Sequence, residues 1–309
     1  MKGTMSVRHL EGLIAAPPTP MRADGSVALE TIDALYRMLV SNGVRGAFVC
    51  GTTGESMSLT VQERRLVAER WRALAEGDFI VIVHVGHNSL PDCKELAAHA
   101  QRIGAHGIAV MAPNFFKPGS LDDLVAFCAE AAAAAPELPF YYYHMPAMTG
   151  VITPAVDFIQ AASSRIPTLT GAKFTYEDLM DYGRCLVLEG GRFDMLFGRD
   201  EILLSALALG AHGAIGTTYN FAAPLYRRVM DAYAAGNMAE AQEEQSRARE
   251  MVAVLYKAGG LAAVKPIMKM IGLDCGPPRL PLHRFGTSEY EKLQAELGRV
   301  GFFEYCCRP

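Results

Sequence analysis

Two textures of hydrophobic pattern alternate along the chain. Short apolar runs occur at Gly12–Ala16, Ala47–Cys50, Ile80–Val85, Gly107–Met111, Phe140–Tyr143, Leu169–Phe174, Asp194–Gly198 and Gly213–Gly216. Between them lie longer stretches in which apolar residues recur every three or four positions. Runs of this length suit strands buried on both faces, and helical stretches supply the crossovers that parallel strands require. Ile32, Leu35, Tyr36, Leu39 and Val40 mark one helical face, which Asn42-Gly43 closes. Thr60 and Glu63 form a capping box ahead of Leu66, Val67 and Leu74. Eight strand–helix units predict an α/β fold, a (β/α)8 TIM barrel with a side-chain-filled interior.

The segment from Ala222 to about Gly259 is rich in helical pattern, and a last helix is predicted over Ser288–Val300. Between them Gly276-Pro277-Pro278 would break any helix that reached it. These elements exceed what a barrel needs. The expected organisation is a barrel core over 1–221 and a helical extension over 222–309, packed on it as one structural unit. There is no internal repeat and no low-complexity linker.

Composition narrows the function. Of 309 residues half are apolar and a fifth charged, a balance that suits a large core, and the net charge of −4 gives no footprint for nucleic acid. Lys2, Arg8 and His9 begin the chain, but the apolar stretch Leu13–Ala16 ends at Pro17-Pro18, too short for a secretory leader. No apolar segment approaches the roughly 20 residues of a membrane span. A cytoplasmic location is expected, with the seven cysteines reduced and mostly buried.

In a barrel of this type, chemistry belongs at the C-terminal ends of the strands. Gly51-Thr52-Thr53-Gly54-Glu55 follows the second strand. Its glycines, backbone N–H groups and hydroxyls suit a small carboxylate, and equally a tight turn whose threonines satisfy the backbone. Tyr141-Tyr142-Tyr143-His144 ends the fifth run, with Tyr141 and Tyr143 on one face and Tyr142 on the other. A phenol at the mouth can move protons, although strand tyrosines commonly serve packing, and His144 reads as structural. Lys173 ends an apolar strand and is the only lysine between Lys117 and Lys257. Desolvation there would disfavour the ammonium and free a nucleophilic amine, unless an ion pair holds it. Thr175 shares its face. Gly198-Arg199-Asp200-Glu201 and Gly216-Thr217-Thr218-Tyr219-Asn220 follow strands seven and eight, and acidic residues in the former could cap a helix or bind hydroxyls. His84 and His87 lack the further ligands of a metal site, and there is no nucleotide-binding glycine fingerprint.

Taken in order, Leu13–Pro20, Gly51–Glu55, Tyr143–Gly150, Gly171–Thr175, Gly198–Glu201 and Gly213–Asn220 resemble the N-acetylneuraminate lyase and dihydrodipicolinate synthase family of class I pyruvate aldolases. Leu138–Gly150 and Gly276–Leu282 look especially like its animal-type lyase branch. The resemblance implies reversible cleavage of N-acetylneuraminate to N-acetylmannosamine and pyruvate. Lys173 would form an imine with the C2 ketone, with no metal or other cofactor. Tyr143 would take the C4 hydroxyl proton, relayed through Thr52. Thr52 and Thr53, with Gly51, would hold the carboxylate. Thr175, Gly198, Asp200, Glu201, Gly216 and Thr217 would line the sugar site. Partners would be the small-molecule substrate and further copies of the chain, as a homotetramer, with no nucleic acid or membrane.

Synthases of this family usually carry an arginine after the catalytic tyrosine, where this chain has Met148, and borrow a neighbouring subunit's tyrosine at the position of Phe115 or Phe116. An apolar side chain cannot pair with a second carboxylate, and phenylalanine relays no proton. Both departures weigh against a synthase, and the second leaves the completion of the proton relay open. An aldolase or dehydratase for another 2-keto sugar acid would fit the same motifs, and a non-catalytic barrel that binds a keto acid would fit the fold.

Overall fold

The computed structural model describes residues 9–309. Lys2 and Arg8 lie outside the described residues. Eight parallel strands pair in chain order into a closed barrel. They are β1 Gly12–Ala15, β2 Gly46–Val49, β3 Ile80–His84, β4 Gly107–Met111, β5 Phe140–His144, β6 Leu169–Phe174, β7 Asp194–Phe197 and β8 Gly213–Gly216. All eight predicted strands are present, with ends shifted by a residue at most. The helices are α1 Thr31–Ser41, α2 Val61–Leu74, α3 Leu90–Arg102, α4 Leu121–Ala133, α5 Pro146–Thr149, α6 Ala155–Ala162, α7 Leu179–Val187 and α8 Leu203–Leu209. After the last strand come α9 Tyr219–Ala234, α10 Met238–Lys257, α11 Leu261–Met270, α12 Thr287–Arg299 and α13 Phe302–Tyr305. No single described helix is long and apolar enough to cross a membrane.

The described chain divides into two compact units. One contains the residues up to Gly12, Ile82–Arg199 and Ser205–Ile215. Its central strands β4 and β5 are buried along their whole length, which explains their unbroken apolar character. Alternation sends Tyr142 outward, where its ring stacks on Phe158 of α6 at 3.9 Å between centroids. Gly171 in β6 has no room for a side chain: a Cβ there would lie 1.9 Å from the Asp194 carbonyl oxygen of β7. The strand can approach its neighbour only with glycine at that point.

The other unit contains Leu13–Val81, Asp200–Leu204 and Gly216–Pro309. Its core includes Trp71 of α2, stacked on Phe79 and met edge-on by Tyr36 of α1. The capping box at the start of α2 forms as predicted, Thr60 Oγ1 accepting from the Glu63 amide and the Glu63 carboxylate from the Thr60 amide. Of the face read for α1, Val40 is 46% exposed, while Met38, outside that reading, is buried. The buried stripe of α1 centres on Leu35, and at 100° per residue Val40 lies about 140° round from it. The tail is tied back by the Cys307 amide to the Phe221 carbonyl and by Asn42 Nδ2 to the Arg308 carbonyl, each at 2.8 Å. All seven cysteines are free and buried.

Candidate active site

The parallel register of β5 and β6 sets Tyr143 directly beside Lys173. Both side chains are nearly fully buried, and the Lys173 Nζ stands 4.3 Å from the centroid of the Tyr143 ring. The Tyr143 hydroxyl donates to Met145 Sδ at 2.9 Å, and His84 meets the same ring edge-to-face at 5.6 Å. An amine over a phenol face, with both side chains buried, is suited to attack a carbonyl beside a proton-transfer group.

Thr175 continues the Lys173 face. Its amide donates to the His144 carbonyl, and its buried hydroxyl has no hydrogen-bond partner among the described residues. That hydroxyl can hold a ligand oxygen. Gly198 is what lets it sit there: a Cβ at Gly198 would come within 2.1 Å of Thr175 Oγ1. The neighbouring residues of β5 are occupied otherwise. Tyr141 donates to the Asp194 carboxylate at 2.9 Å, and His144 packs against Phe174, its pKa lowered to about 4 by burial. The enclosed His144 sits among aromatic rings, and neither of its ring nitrogens has a hydrogen-bond partner among the described residues.

In the other unit, the Gly51–Glu55 loop turns sharply after β2. Its flanking residues Cys50 and Glu55 have φ of 56° and 57°, in the left-handed region that residues with side chains rarely enter. A Cβ on Gly51 would strike the Phe48 ring at 2.8 Å. Thr52 is half-buried, and Thr53 shares a 2.7 Å hydrogen bond with the Thr217 hydroxyl, joining the loops after β2 and β8. Thr19 Oγ1 donates to the Gly54 carbonyl at 2.8 Å.

Asp200 lies at the start of the turn into α8, where Oδ2 accepts from the Thr218 amide at 2.9 Å and hydroxyl at 2.7 Å. Gly216 makes room for it, since a Cβ there would lie 2.0 Å from Asp200 Oδ1. Burial and the Asp200 charge hold the Tyr219 and Tyr226 phenols well above their usual pKa, so both stay neutral. Glu201 is half-buried and accepts from the Tyr256 hydroxyl at 3.3 Å.

The structure thus brings together Lys173 with Tyr143, Thr175 with Gly198, Thr53 with Thr217, and Asp200 with Gly216. The sequence reading named Thr218 and Asn220 in the turn after the eighth strand without giving them a role, and Gln245 and Tyr256 escaped it. Thr218 orients Asp200, Asn220 ties the loop after β8 to the Ala16 carbonyl at 2.7 Å, and Gln245 donates to the Asp200 carbonyl at 3.2 Å. Tyr256 and Gln245 sit on α10, where a polar or aromatic helix position looks like any other. Among the described residues, no three His, Cys, Asp or Glu side chains gather as metal ligands would.

The Dihydrodipicolinate synthetase family model matches residues 9–299 of this chain. An N-acetylneuraminate lyase of Xenopus tropicalis is 46% identical over 287 residues, covering 92% of this chain and 94% of that protein. The solved Proteus mirabilis N-acetylneuraminate lyase is 42% identical with a TM-score of 0.93, covering 96% of this chain and all of that one. A native N-acetylneuraminate lyase, or sialic acid aldolase, from Aliivibrio salmonicida is 41% identical with a TM-score of 0.92, over 96% and 98% of the two chains. The chain belongs to the dihydrodipicolinate synthetase family.

Proposed function

We propose that this chain is a class I aldolase that reversibly cleaves N-acetylneuraminate to N-acetylmannosamine and pyruvate through an imine on Lys173. The observation that carries the reading is the buried Lys173 amine over the Tyr143 ring, at the C-terminal ends of two adjacent barrel strands. The relatives named as N-acetylneuraminate lyases, similar over almost the whole chain, supply the substrate.

In this reading the Lys173 amine attacks the C2 ketone of the open-chain sugar acid, and loss of water gives the protonated imine. As the C3–C4 bond breaks, its electron pair moves into the imine, forming an enamine, while the C4 hydroxyl proton passes by way of Thr52 to Tyr143, which takes it as the phenolate. The sugar leaves as its aldehyde, the Tyr143 phenol gives its proton to C3 of the enamine and is again the phenolate, and hydrolysis of the imine frees pyruvate and the amine. The imine is itself the electron sink, so the chemistry needs no cofactor. Thr52 and Thr53, with the amides near Gly51, would bind the carboxylate. Thr175, Asp200, Glu201 and Thr217 would hold sugar hydroxyls, with Gly198 and Gly216 giving them space. Met148, apolar and half-exposed in α5, offers nothing to a second carboxylate, which favours a sugar acid over the synthase substrate.

We also propose a homotetramer in the cytoplasm. Phe115 and Phe116 are 76% and 85% exposed, an apolar pair whose burial against another copy would be favourable. The buried free cysteines suit a reducing compartment.

The test is borohydride trapping with pyruvate, read by peptide mass spectrometry, beside a lyase assay on N-acetylneuraminate. A pyruvyl adduct on Lys173 together with sugar cleavage supports the proposal. An adduct without cleavage moves the substrate to another 2-keto sugar acid, and a folded protein that forms no adduct overturns the imine.

A further inference from the structure

The Gly51–Glu55 loop has a carboxylate of its own, and that carboxylate is fully enclosed. Glu55 and Lys265 of α11 form an ion pair at 2.6 Å, each side chain 3% exposed. The other Glu55 oxygen accepts from the Arg279 amide at 2.8 Å, and Lys265 also donates to the Pro277 carbonyl at 3.1 Å. The Arg279 side chain then fastens the same segment down. It donates to the carbonyls of Gly25 and Ser58 at 2.7 and 2.8 Å and pairs with Glu63, whose pKa this contact lowers to about 2.

Two features make this more than a stray buried pair. Glu55 holds the left-handed conformation that ends the loop, a geometry that persists only where surrounding contacts over-determine it. It is also an anion at the edge of a loop that would bind a carboxylate, where an uncompensated charge would repel the ligand. Burial disfavours the Lys265 ammonium while Glu55 favours it, so the pair is mutually dependent.

We infer that Lys265 and Arg279 are positioning residues for the substrate carboxylate: they fix Glu55 and neutralise it, so that the Thr52–Thr53 loop keeps its shape and accepts an anion. This rests on the imine-lyase reading of the loop. Lys265 is 210 residues from Glu55 in sequence and sits on α11, whereas Lys173 and Tyr143 sit on barrel strands. Its loss should therefore act first on carboxylate binding, and on the chemical steps only through Thr52.

The experiment compares wild type with Lys265→Met, Glu55→Gln/Lys265→Met and Arg279→Ala. It measures the pyruvate concentration for half-maximal borohydride trapping, KM and kcat for N-acetylneuraminate, and Tm. For Lys265→Met we expect half-saturation and KM to rise about tenfold or more, with a fall in kcat smaller than the rise in KM, since Thr52 also relays the proton. The double variant, which buries no unpaired charge, should recover to within about threefold of wild type. Arg279→Ala, at a partly exposed site, should raise both constants about threefold even if Lys265→Met does not fold. A folded Lys265→Met with unmoved half-saturation, a folded double variant no better than the single, or an unmoved Arg279→Ala overturns the inference alone. A wild type that traps no pyruvate overturns the lyase reading and this inference with it.

Discussion

Lys173 and Tyr143 divide the proposed chemistry between a nucleophile and a proton carrier, and the two roles separate on mutation. Tyr143→Phe keeps the ring beneath the amine and removes only the hydroxyl that now meets Met145. Trapping of pyruvate on Lys173 should persist, while kcat for cleavage falls by roughly 10²–10⁴, the usual contribution of a positioned acid–base group. Single-turnover trapping beside steady-state assays would show it; a loss of trapping equal to the loss of cleavage would make the hydroxyl part of imine formation instead. Gly198→Ala makes a different cut. The new methyl would displace Thr175 Oγ1, which touches the sugar end in our reading, so KM for N-acetylneuraminate should rise about tenfold while pyruvate trapping stays near normal. These residues were legible because the sequence placed Lys173, Thr175 and Tyr143 by strand alternation. The reason for Gly198 was not legible, since it depends on a hydroxyl 23 residues away that only the β6–β7 register brings near.

At the scale of elements, local signals and distant contacts can be told apart in α2. The Thr60–Glu63 box is written within four residues and forms as written, so removing it has a calculable effect. Thr60→Ala should cost ~1 kcal/mol of unfolding free energy, measured by chemical denaturation, with little effect on KM. An unchanged midpoint would mean that the Arg279 contacts to Glu63 and Ser58 hold the helix start without the cap. Those contacts span more than 200 residues and leave no local trace, which is why the sequence offered Gly276-Pro277-Pro278 as a helix breaker and a mark of resemblance but not as an anchor. The structure makes that segment an anchor. Strands were readable for a related reason: burial on both faces leaves an apolar run that needs no partner to be recognised. Their exact ends were not, because a parallel neighbour decides them, as when His144 extends β5 by pairing with Phe174. Helix faces fell between these cases. The period was plain in α1, but its phase depended on packing, which chose Met38 over Val40.

At the scale of the whole molecule, one buried acid should set much of the pH dependence of stability. Asp194 begins β7, at the opposite end of the strands from the proposed chemistry, and is 1% exposed. It accepts from Tyr141 Oη at 2.9 Å and from the Leu10 amide at 3.2 Å, and His9 Nδ1 lies 3.7 Å away. Burial raises its pKa from 3.8 to about 7, the two hydrogen bonds offsetting only part of the desolvation. The folded protein therefore holds a proton on this group across a range in which the unfolded chain has released it. Stability drawn from the protonated form is fully present below about pH 4 and is lost as pH rises through about 7, a span worth on the order of 4 kcal/mol. Asp194→Asn removes that titration while keeping a side chain that can accept from Tyr141. Denaturant unfolding between pH 5 and 8 should show wild type losing stability relative to the variant as pH rises, and the difference levelling above pH 8. If the two curves stay parallel, Asp194 is already ionised in the folded protein at pH 5, and the Tyr141 and Leu10 hydrogen bonds outweigh its burial. The same variant tests whether this end of the barrel is independent of the chemistry, since kcat at pH 7 should be unchanged by a substitution that touches none of the proposed catalytic residues.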